Sequence, residues 1–168
     1  TFILIEDLKI KLSPVNSKYD VPKIRPFLNQ PYNNWSILIS SKTAISDNPS
    51  LTCRLPGMIK YSPIRVLLDA FRKVPNSMDL FKNVREIPLW IFTSIPITEK
   101  INQEAILLGA KIINVDKDKL GYGLNLSRVF KVLAELGVNR VIVESGGGLS
   151  SALFLEKLVD KLVVYRAP

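Results

Sequence analysis

Near the C-terminal end of the chain, a glutamate and three consecutive glycines stand between two apolar segments, and these residues have clear potential for binding chemistry. Residues 141–143 are β-branched and predict a buried strand, Glu144 follows them, and the glycines at 146–148 precede an apolar segment with helical spacing. Glycine lets backbone N–H groups come close to a ligand, and a helix directs its positive N-terminal end to the same place. The arrangement therefore suits a phosphate or pyrophosphate with a carboxylate beside it.

The three glycines also have a simpler interpretation, which is a tight turn between a strand and a helix. They do not form the spaced glycine fingerprint of dinucleotide-binding folds, and no Gly-Lys-Ser/Thr sequence follows them as in a P-loop. Taken alone, the pattern favours the simple turn.

A second polar group follows residues 36–40, an apolar run that predicts another buried strand. Thr43 and Asp47 are four residues apart, a proline restricts the backbone shortly after them, and Arg54 follows. We predict that residues 43–49 form a loop. The Ser-Asp-Asn-Pro sequence in this loop consists of good turn formers, so this group also has a simple structural interpretation when it is taken alone.

Strands and helices must position these groups, and the apolar pattern predicts such elements along most of the chain. Further strands are predicted at residues 2–12, 63–69, 88–94, 111–115 and 161–165, and residues 70–84 are predicted to be irregular. Helices are predicted at residues 23–30, 98–108, 126–136 and 149–158, with Thr98 as an N-cap and with Gly109 and Gly137 at helix ends. The strands are apolar throughout rather than alternating, which is typical of a parallel sheet covered by helices on both faces.

The composition excludes several kinds of chemistry. The chain of 168 residues contains no histidine, which excludes Ser-His-Asp catalysis, Cys-His catalysis and zinc held by histidine. With Cys53 as its single cysteine it cannot form an internal disulfide or a structural zinc site, so we expect no metal and a reducing compartment. No apolar run reaches the roughly 18 residues of a membrane span, and the start of the chain lacks the pattern of a signal peptide, so we expect a cytoplasmic protein.

A net charge of +8 indicates an anionic partner, which could be a nucleic acid or a phosphorylated small molecule. The lysines and arginines are scattered along the chain, without a consecutive block and without the interleaved aromatic residues of a base-stacking platform. The charge therefore indicates a solvated surface with some attraction for a phosphorylated ligand, and a phosphate-rich cofactor explains it as well as a nucleic acid does.

Residues 63–69, Pro-Ile-Arg-Val-Leu-Leu-Asp, connect the two polar groups into an ordered set of motifs. The set resembles the reductase domain of the bifunctional riboflavin-biosynthesis deaminase/reductase, a pyrimidine reductase with a dihydrofolate-reductase-like fold. The pattern of that family is T-x-x-x-D-[DN]-P-x-L-T-x-R, then P-x-R-[VI]-[VL]-[VL]-D, then V-E-[GA]-G, and then a last strand that ends in Ala-Pro. The corresponding blocks here are residues 43–54, 63–69, 143–147 and 158–168, and the resemblance covers residues 35–168.

The resemblance implies a fold and an activity. The fold is α/β, dihydrofolate-reductase-like, with a mostly parallel central sheet and helices on both faces. The activity is the NADPH-dependent reduction of 5-amino-6-(5-phosphoribosylamino)uracil to the ribitylamino product in riboflavin biosynthesis, by hydride transfer to C1′ of the opened ribose. The implied partners are the phosphoribosylated pyrimidine, a second copy in a homodimer, and a zinc deaminase domain that is not in this chain, with neither nucleic acid nor membrane.

The resemblance also implies roles for individual residues. Contacts to NADPH fall on Thr43 and Asp47 and on the turn formed by Gly146, Gly147, Gly148, Leu149, Ser150, Ser151 and Ala152. Contacts to the substrate fall on Leu51, Arg54 and Glu144. A guanidinium can bind a phosphate through two hydrogen bonds, so Arg54 suits the 5-phosphate. No residue is implied as a catalytic acid, and Glu144 is expected to position the substrate.

Some positions depart from the family pattern. The N-terminal S-x-D-G-K-[IV]-A motif is not recognisable, with Leu8 in place of its glycine, and Ala70 stands where relatives often have serine. We expect residues 1–168 to form a single reductase domain whose N- and C-terminal parts are incomplete, without a deaminase domain. The alternative is a non-catalytic nucleotide- or phosphosugar-binding module of the same fold, which the missing N-terminal motif favours. Nucleic-acid binding is a third hypothesis and depends on charge alone.

Overall fold

The described part of the chain forms one seven-stranded sheet and four α-helices. The structure, a computed structural model, describes residues 2–5, 35–53 and 55–163, with residues 2–5 and 163 described by their backbone alone. The strands are β1 (Phe2–Ile5), β2 (Trp35–Ser40), β3 (Ile64–Leu68), β4 (Leu89–Thr93), β5 (Lys111–Asn114), β6 (Arg140–Glu144) and β7 (Lys161–Val163). The helices are α1 (Ser41–Asp47), α2 (Lys100–Leu108), α3 (Leu126–Glu135) and α4 (Gly147–Leu155), and single 3₁₀ turns occur at Ile59–Tyr61 and Asp79–Phe81.

Most of the sheet is parallel. Its strand order is β5-β4-β3-β2-β6-β1-β7, and the pairs from β5 through to β6 are all parallel. Strand β1 is antiparallel to both of its neighbours, β6 and β7. The sequence prediction of a mostly parallel sheet is therefore confirmed, and the carboxyl ends of β2 to β6 lie at one common edge.

Helices cover both faces of the sheet, as the apolar strands predicted. On β2, Leu38 belongs to a core that also contains Val129 of α3 and Leu153 of α4. The next residue, Ile39, points to the other face, because successive side chains of a strand alternate, and it lies in a core with Ala44 of α1 and Ala105 of α2. Packing in the two cores fixes the positions of the helices on the sheet. The helices in turn determine which side chains lie at the carboxyl edge of strands β2 to β6.

The largest departure from the sequence prediction is α1, since residues 43–49 were expected to form a loop. The Ser40 side chain accepts a hydrogen bond from the backbone N–H of Thr43 at 3.3 Å and so caps the start of the helix. Asn48 takes the left-handed conformation, with φ 42°, and donates its N–H to the Ala44 oxygen. The turn-forming residues thus end a helix instead of forming a loop, and Ala44 anchors that helix in the core.

Two other helices differ from their predicted bounds. Helix α2 has Glu99 rather than Thr98 at its N-cap, while Gly109 ends it in the left-handed conformation as predicted. Helix α4 begins at Gly147, so two of the three glycines are helical, and it ends before the predicted position. It ends there because Lys157 takes a positive φ of 55° while Leu158 packs back on the core and donates its N–H to the Leu153 oxygen.

The remaining strand and helix predictions agree with the structure to within a few residues, and Gly137 follows α3 with a positive φ as expected. Predictions for residues 6–12, 23–30, 164 and 165, and the substrate contact at Arg54, lie outside the described residues. In the part of the chain that is described, no helix has the length and apolar character to cross a membrane.

Candidate functional site

The predicted site residues converge because β2 and β6 are adjacent parallel strands. Ile39 of β2 lies opposite Glu144 of β6, so α1 and α4, which follow these strands, start side by side at the carboxyl edge. A cavity of about 680 Å³ lies between them. Its described lining comes from the end of β2 and α1 (Ser40, Lys42, Thr43, Ser46 and Asp47) and from residues 144–149.

The α1 side of the cavity is a row of polar side chains. Since one helical turn is 3.6 residues, Thr43 and Asp47 lie on the same side of α1, one turn apart. The Thr43 hydroxyl is half-buried and lies 3.2 Å from the Ser40 hydroxyl, while Asp47 is exposed. The four-residue spacing seen in the sequence therefore places a hydroxyl and a carboxylate together on the cavity wall.

The α4 side presents backbone N–H groups. Gly146 is the N-cap residue, no side chain caps the helix, and its first turn contains no acidic residue. The first intrahelical hydrogen bond runs from the Ser150 N–H to the Gly146 oxygen at 3.3 Å, so the N–H groups before it have no acceptor within the helix. These groups and the positive end of the helix dipole favour an anion in the cavity.

The glycines at 146–148 are not needed for their backbone conformation or for packing. None of the three has a positive φ, so the backbone conformation here would not strain a larger side chain. A Cβ atom built at any of them meets no atom of the described residues within 4 Å. What glycine provides here is open access from the cavity to the backbone N–H groups, and this fits the pyrophosphate of a dinucleotide.

Glu144 gives the cavity a carboxyl group in a partly dehydrated setting. Its side chain is half-buried at the end of β6. Burial raises the pKa of Glu144 above the ordinary carboxyl value, and the nearby carboxylate of Asp47 raises it further. When ionised, Glu144 can accept hydrogen bonds from N–H or O–H groups of a ligand. Such a donor would stabilise the ionised carboxylate and offset the rise in pKa that burial causes.

Other predicted contacts lie away from the described cavity lining. Leu51 packs partly buried against the core beneath α1 and α2, and it has a left-handed φ of 52°. Ser150 lies one turn into α4 with its hydroxyl 2.8 Å from that of Ser145. Ser151 is exposed, and Ala152 packs against the core beneath α3 and α4.

Four described lining residues were absent from the sequence predictions: Ser40, Lys42, Ser46 and Ser145. A signal for Ser40 existed, because a serine at the end of a predicted strand is a strong N-cap candidate for a following helix. Lys42 and Ser46 can be recognised as lining residues only once residues 41–47 are known to be helical, because no helix was predicted there.

Comparison with known proteins identifies the family. Residues 33–168 match the family model of the RibD C-terminal domain. The chain belongs to this family. Among its curated relatives are the riboflavin biosynthesis protein RibD of Bacillus amyloliquefaciens and the 5-amino-6-(5-phosphoribosylamino)uracil reductase of Buchnera aphidicola. The first is 33% identical over 132 residues, which is 79% of this chain and 34% of that protein. The second is 32% identical over 143 residues, which is 79% of this chain and 65% of that protein.

Solved structures of RibD proteins and a related reductase have the same fold. RibD of Acinetobacter baumannii aligns with a TM-score of 0.59 at 21% identity, over 88% of this chain and 39% of that one. The riboflavin biosynthesis reductase Rib7 of Saccharomyces cerevisiae aligns with a TM-score of 0.56 at 19% identity, over 84% of this chain and 61% of that one. The predicted fold class and the family resemblance are confirmed, and the chain spans about a third of the length of the RibD relatives that it matches.

Proposed function

We propose that this protein is an NADPH-dependent reductase that converts 5-amino-6-(5-phosphoribosylamino)uracil to the ribitylamino product in riboflavin biosynthesis. The observation that carries the proposal is the open glycine start of α4, which faces a polar cavity in a chain of the RibD C-terminal domain family. The relative from Buchnera aphidicola is named 5-amino-6-(5-phosphoribosylamino)uracil reductase, which supports this substrate.

The cofactor site in this proposal is the cavity between α1 and α4. The N–H groups of Gly147, Gly148 and Leu149 would hold the pyrophosphate, because they lack intrahelical acceptors and no Cβ blocks the glycines. Thr43 and Asp47 would hold the cofactor from the α1 side, through a hydroxyl and a carboxylate. Further along α4, Ser150 and Ser151 would add hydroxyls, and Ala152 would make the last of the proposed cofactor contacts on this helix. Bound NADPH supplies the hydride that reduces C1′ of the opened ribose.

The substrate site in this proposal adjoins the same edge of the sheet. Glu144 would accept hydrogen bonds from the substrate and so position it beside the cofactor, which is where an orienting group contributes most. Leu51 would contact the substrate from the segment that follows α1, and Arg54, the third residue after it, would bind the 5-phosphate. The protein's own residues thus bind and align two ligands, and none of them is proposed as a catalytic acid.

The partners in this proposal are a second copy of the chain and a zinc deaminase domain, either fused to it or acting with it. A protein of the same fold from Thermotoga maritima is a diaminohydroxyphosphoribosylaminopyrimidine deaminase and 5-amino-6-(5-phosphoribosylamino)uracil reductase, which supports the second partner. Sedimentation of the purified protein at micromolar concentration tests the first. We expect a dimer, and a monomer would contradict that part of the proposal.

Turnover tests the proposed function directly. We expect NADPH oxidation on addition of the phosphoribosylaminouracil, a slower reaction with NADH, and little reaction with the dephosphorylated substrate. NADPH binding without turnover would support the alternative, a non-catalytic nucleotide- or phosphosugar-binding module, which the unrecognised N-terminal motif favours. Tight RNA binding at physiological salt, with no NADPH binding, would contradict both, since non-specific attraction to a basic protein fades steeply with salt.

A further inference from the structure

Arg65 of β3 is a charged side chain inside the core. It has no exposed surface, and it lies on a strand in which every residue is buried. Burial lowers the pKa of Arg65 to about 10, so the guanidinium remains charged at neutral pH. A buried charge is unfavourable unless its hydrogen bonds are made, so the partners of this guanidinium indicate what it does.

The described hydrogen bonds of the Arg65 guanidinium come from its two Nη atoms and all go to backbone carbonyl oxygens of two separate segments, while its Nε has no partner among the described residues. Nη1 donates to the Ser50 oxygen at 3.2 Å and to the Lys82 oxygen at 3.4 Å. Nη2 donates to the Ile87 oxygen at 2.6 Å. One planar side chain therefore joins the segment after α1 to residues 82–87. A lysine carries its donors on a single nitrogen and could not span these acceptors in the same way.

The segment after α1 has a backbone conformation that needs support. Asn48 and Leu51 both have left-handed φ values, 42° and 52°, and this region is unfavourable for a leucine. Two further anchors flank Leu51: the Asn48 Oδ1 accepts from the Asp79 N–H at 2.9 Å, and the Cys53 N–H donates to the Ser62 hydroxyl at 2.9 Å. Between these anchors, the Ser50 oxygen is held by Arg65.

We propose that Arg65 is a positioning residue, which holds residues 48–53 through the Ser50 oxygen and so places Leu51 and the chain entering Arg54 for substrate binding. This inference rests on the proposed reductase function, in which Leu51 and Arg54 contact the substrate. Arg65 itself lies in the core and acts only through the backbone that it holds. Replacement of Arg65 should therefore weaken substrate binding and leave the affinity for NADPH unchanged, because the proposed NADPH contacts lie on α1 and α4.

The chain offers a matched control in Arg72, a second buried arginine. Its described hydrogen bonds go to Asp69, Asn76 and Asn102, none of which lies in residues 48–53. Arg65→Lys and Arg72→Lys both keep a charge and lose a guanidinium in the core. A milder variant, Asn48→Gly, removes the side-chain anchor to Asp79 while it keeps a residue that tolerates the left-handed conformation.

The experiment measures KM and kcat for the phosphoribosylaminouracil, the dissociation constant of NADPH, the melting temperature, and hydrogen exchange of the amides in residues 50–53. For Arg65→Lys we expect KM to rise about tenfold, with NADPH affinity within about twofold of wild type and faster exchange in this segment. Asn48→Gly should change KM and exchange in the same direction by a smaller factor. Arg72→Lys should lower the melting temperature and leave KM as in the wild type.

Distinct outcomes overturn the inference and the proposed function. If the wild type turns over but Arg65→Lys and Asn48→Gly keep the wild-type KM, Arg65 only stabilises the fold and the inference is wrong. An equal rise of KM in Arg72→Lys would lead to the same conclusion, because general softening of the core would account for it. If Arg65→Lys does not fold, Asn48→Gly tests whether the position of residues 48–53 determines KM. An unchanged KM in that variant overturns the inference. A wild type that neither binds nor reduces the substrate overturns the proposed function, and the inference with it.

Discussion

Replacement of Gly147 by valine tests whether the start of α4 holds the cofactor, because the described residues leave space around a Cβ atom at this position. Within the described part of the chain, a Cβ atom at Gly147 meets no atom within 4 Å, and the residue has no positive φ, so we expect Gly147→Val to fold like the wild type. A bound phosphate oxygen would lie about 3 Å from the backbone N–H groups of this turn. The branched side chain of valine would block that approach.

The expected magnitude follows from the hydrogen bond that is lost. Loss of one charge-assisted hydrogen bond costs roughly 1.5–3 kcal/mol, which weakens binding by about 10- to 150-fold. At an NADPH concentration about 100 times the wild-type dissociation constant, binding stabilises the wild type by about 2.7 kcal/mol. The variant would gain only about 0.3–1.3 kcal/mol at the same concentration. For a domain of this size, the shift in Tm on adding NADPH would fall from roughly 5–11 °C to roughly 1–5 °C.

The assay is thermal unfolding with and without NADPH, and Ser127→Val serves as a control. Ser127 lies in the first turn of α3, outside the described cavity lining, so this variant introduces valine at a helix start without touching the proposed site. We expect Ser127→Val to keep the wild-type shift. If Gly147→Val also keeps the full shift, the phosphates bind elsewhere and the glycines form only a turn. If Gly147→Val without ligand melts far below both the wild type and Ser127→Val, the fold does need glycine at this position and the reasoning is refuted.

Two further substitutions test the substrate contacts. Arg54→Ala should weaken binding of the phosphorylated substrate by roughly 1.5–3 kcal/mol and that of a dephosphorylated analogue far less, as measured by titration; equal weakening would refute the phosphate contact. Because the folded-state pKa of Glu144 is raised, its ionised form destabilises the fold as pH rises above the ordinary carboxyl value. Glu144→Gln should therefore melt higher than the wild type at neutral pH, with a difference that vanishes in acid, while its KM for the substrate rises; a difference in Tm that does not depend on pH would contradict this reasoning.

The sequence predicted the sheet well because a strand buried on both faces leaves a clear signal. A short apolar run between polar segments, such as that of β2, is typical of a buried strand. In the structure β2 and β6 are neighbours, and this pairing brings Glu144 and Asp47 together. Helix α1 was missed because serine, aspartate, asparagine and proline favour turns locally. What decided the outcome was the burial of Ala44 and the cap from Ser40, which depend on tertiary packing.

Other features of the site region could not be predicted from local sequence. Arg65 stands in an apolar strand, and its acceptors are backbone oxygens 15 to 22 residues away, which no side-chain pattern records. The left-handed conformation of Leu51 is equally hidden, because leucine gives no reason to expect it. The start of α4 was misplaced since glycine is a poor helix former, although it adopts helical angles readily at a first turn.

The pairing of β2 with β6 has a consequence for how the protein is made. It joins residues 35–39 to residues 140–144, so the two walls of the cavity come from opposite ends of the described chain. A ribosome releases the α1 wall about a hundred residues before the α4 wall, and a contact so distant in sequence forms late, because a long loop must close first. A nascent chain therefore cannot bind the ligand while only the α1 wall of the cavity has been made. The cavity exists only after β6 has docked, and any stabilisation by the cofactor favours chains that have already reached that stage.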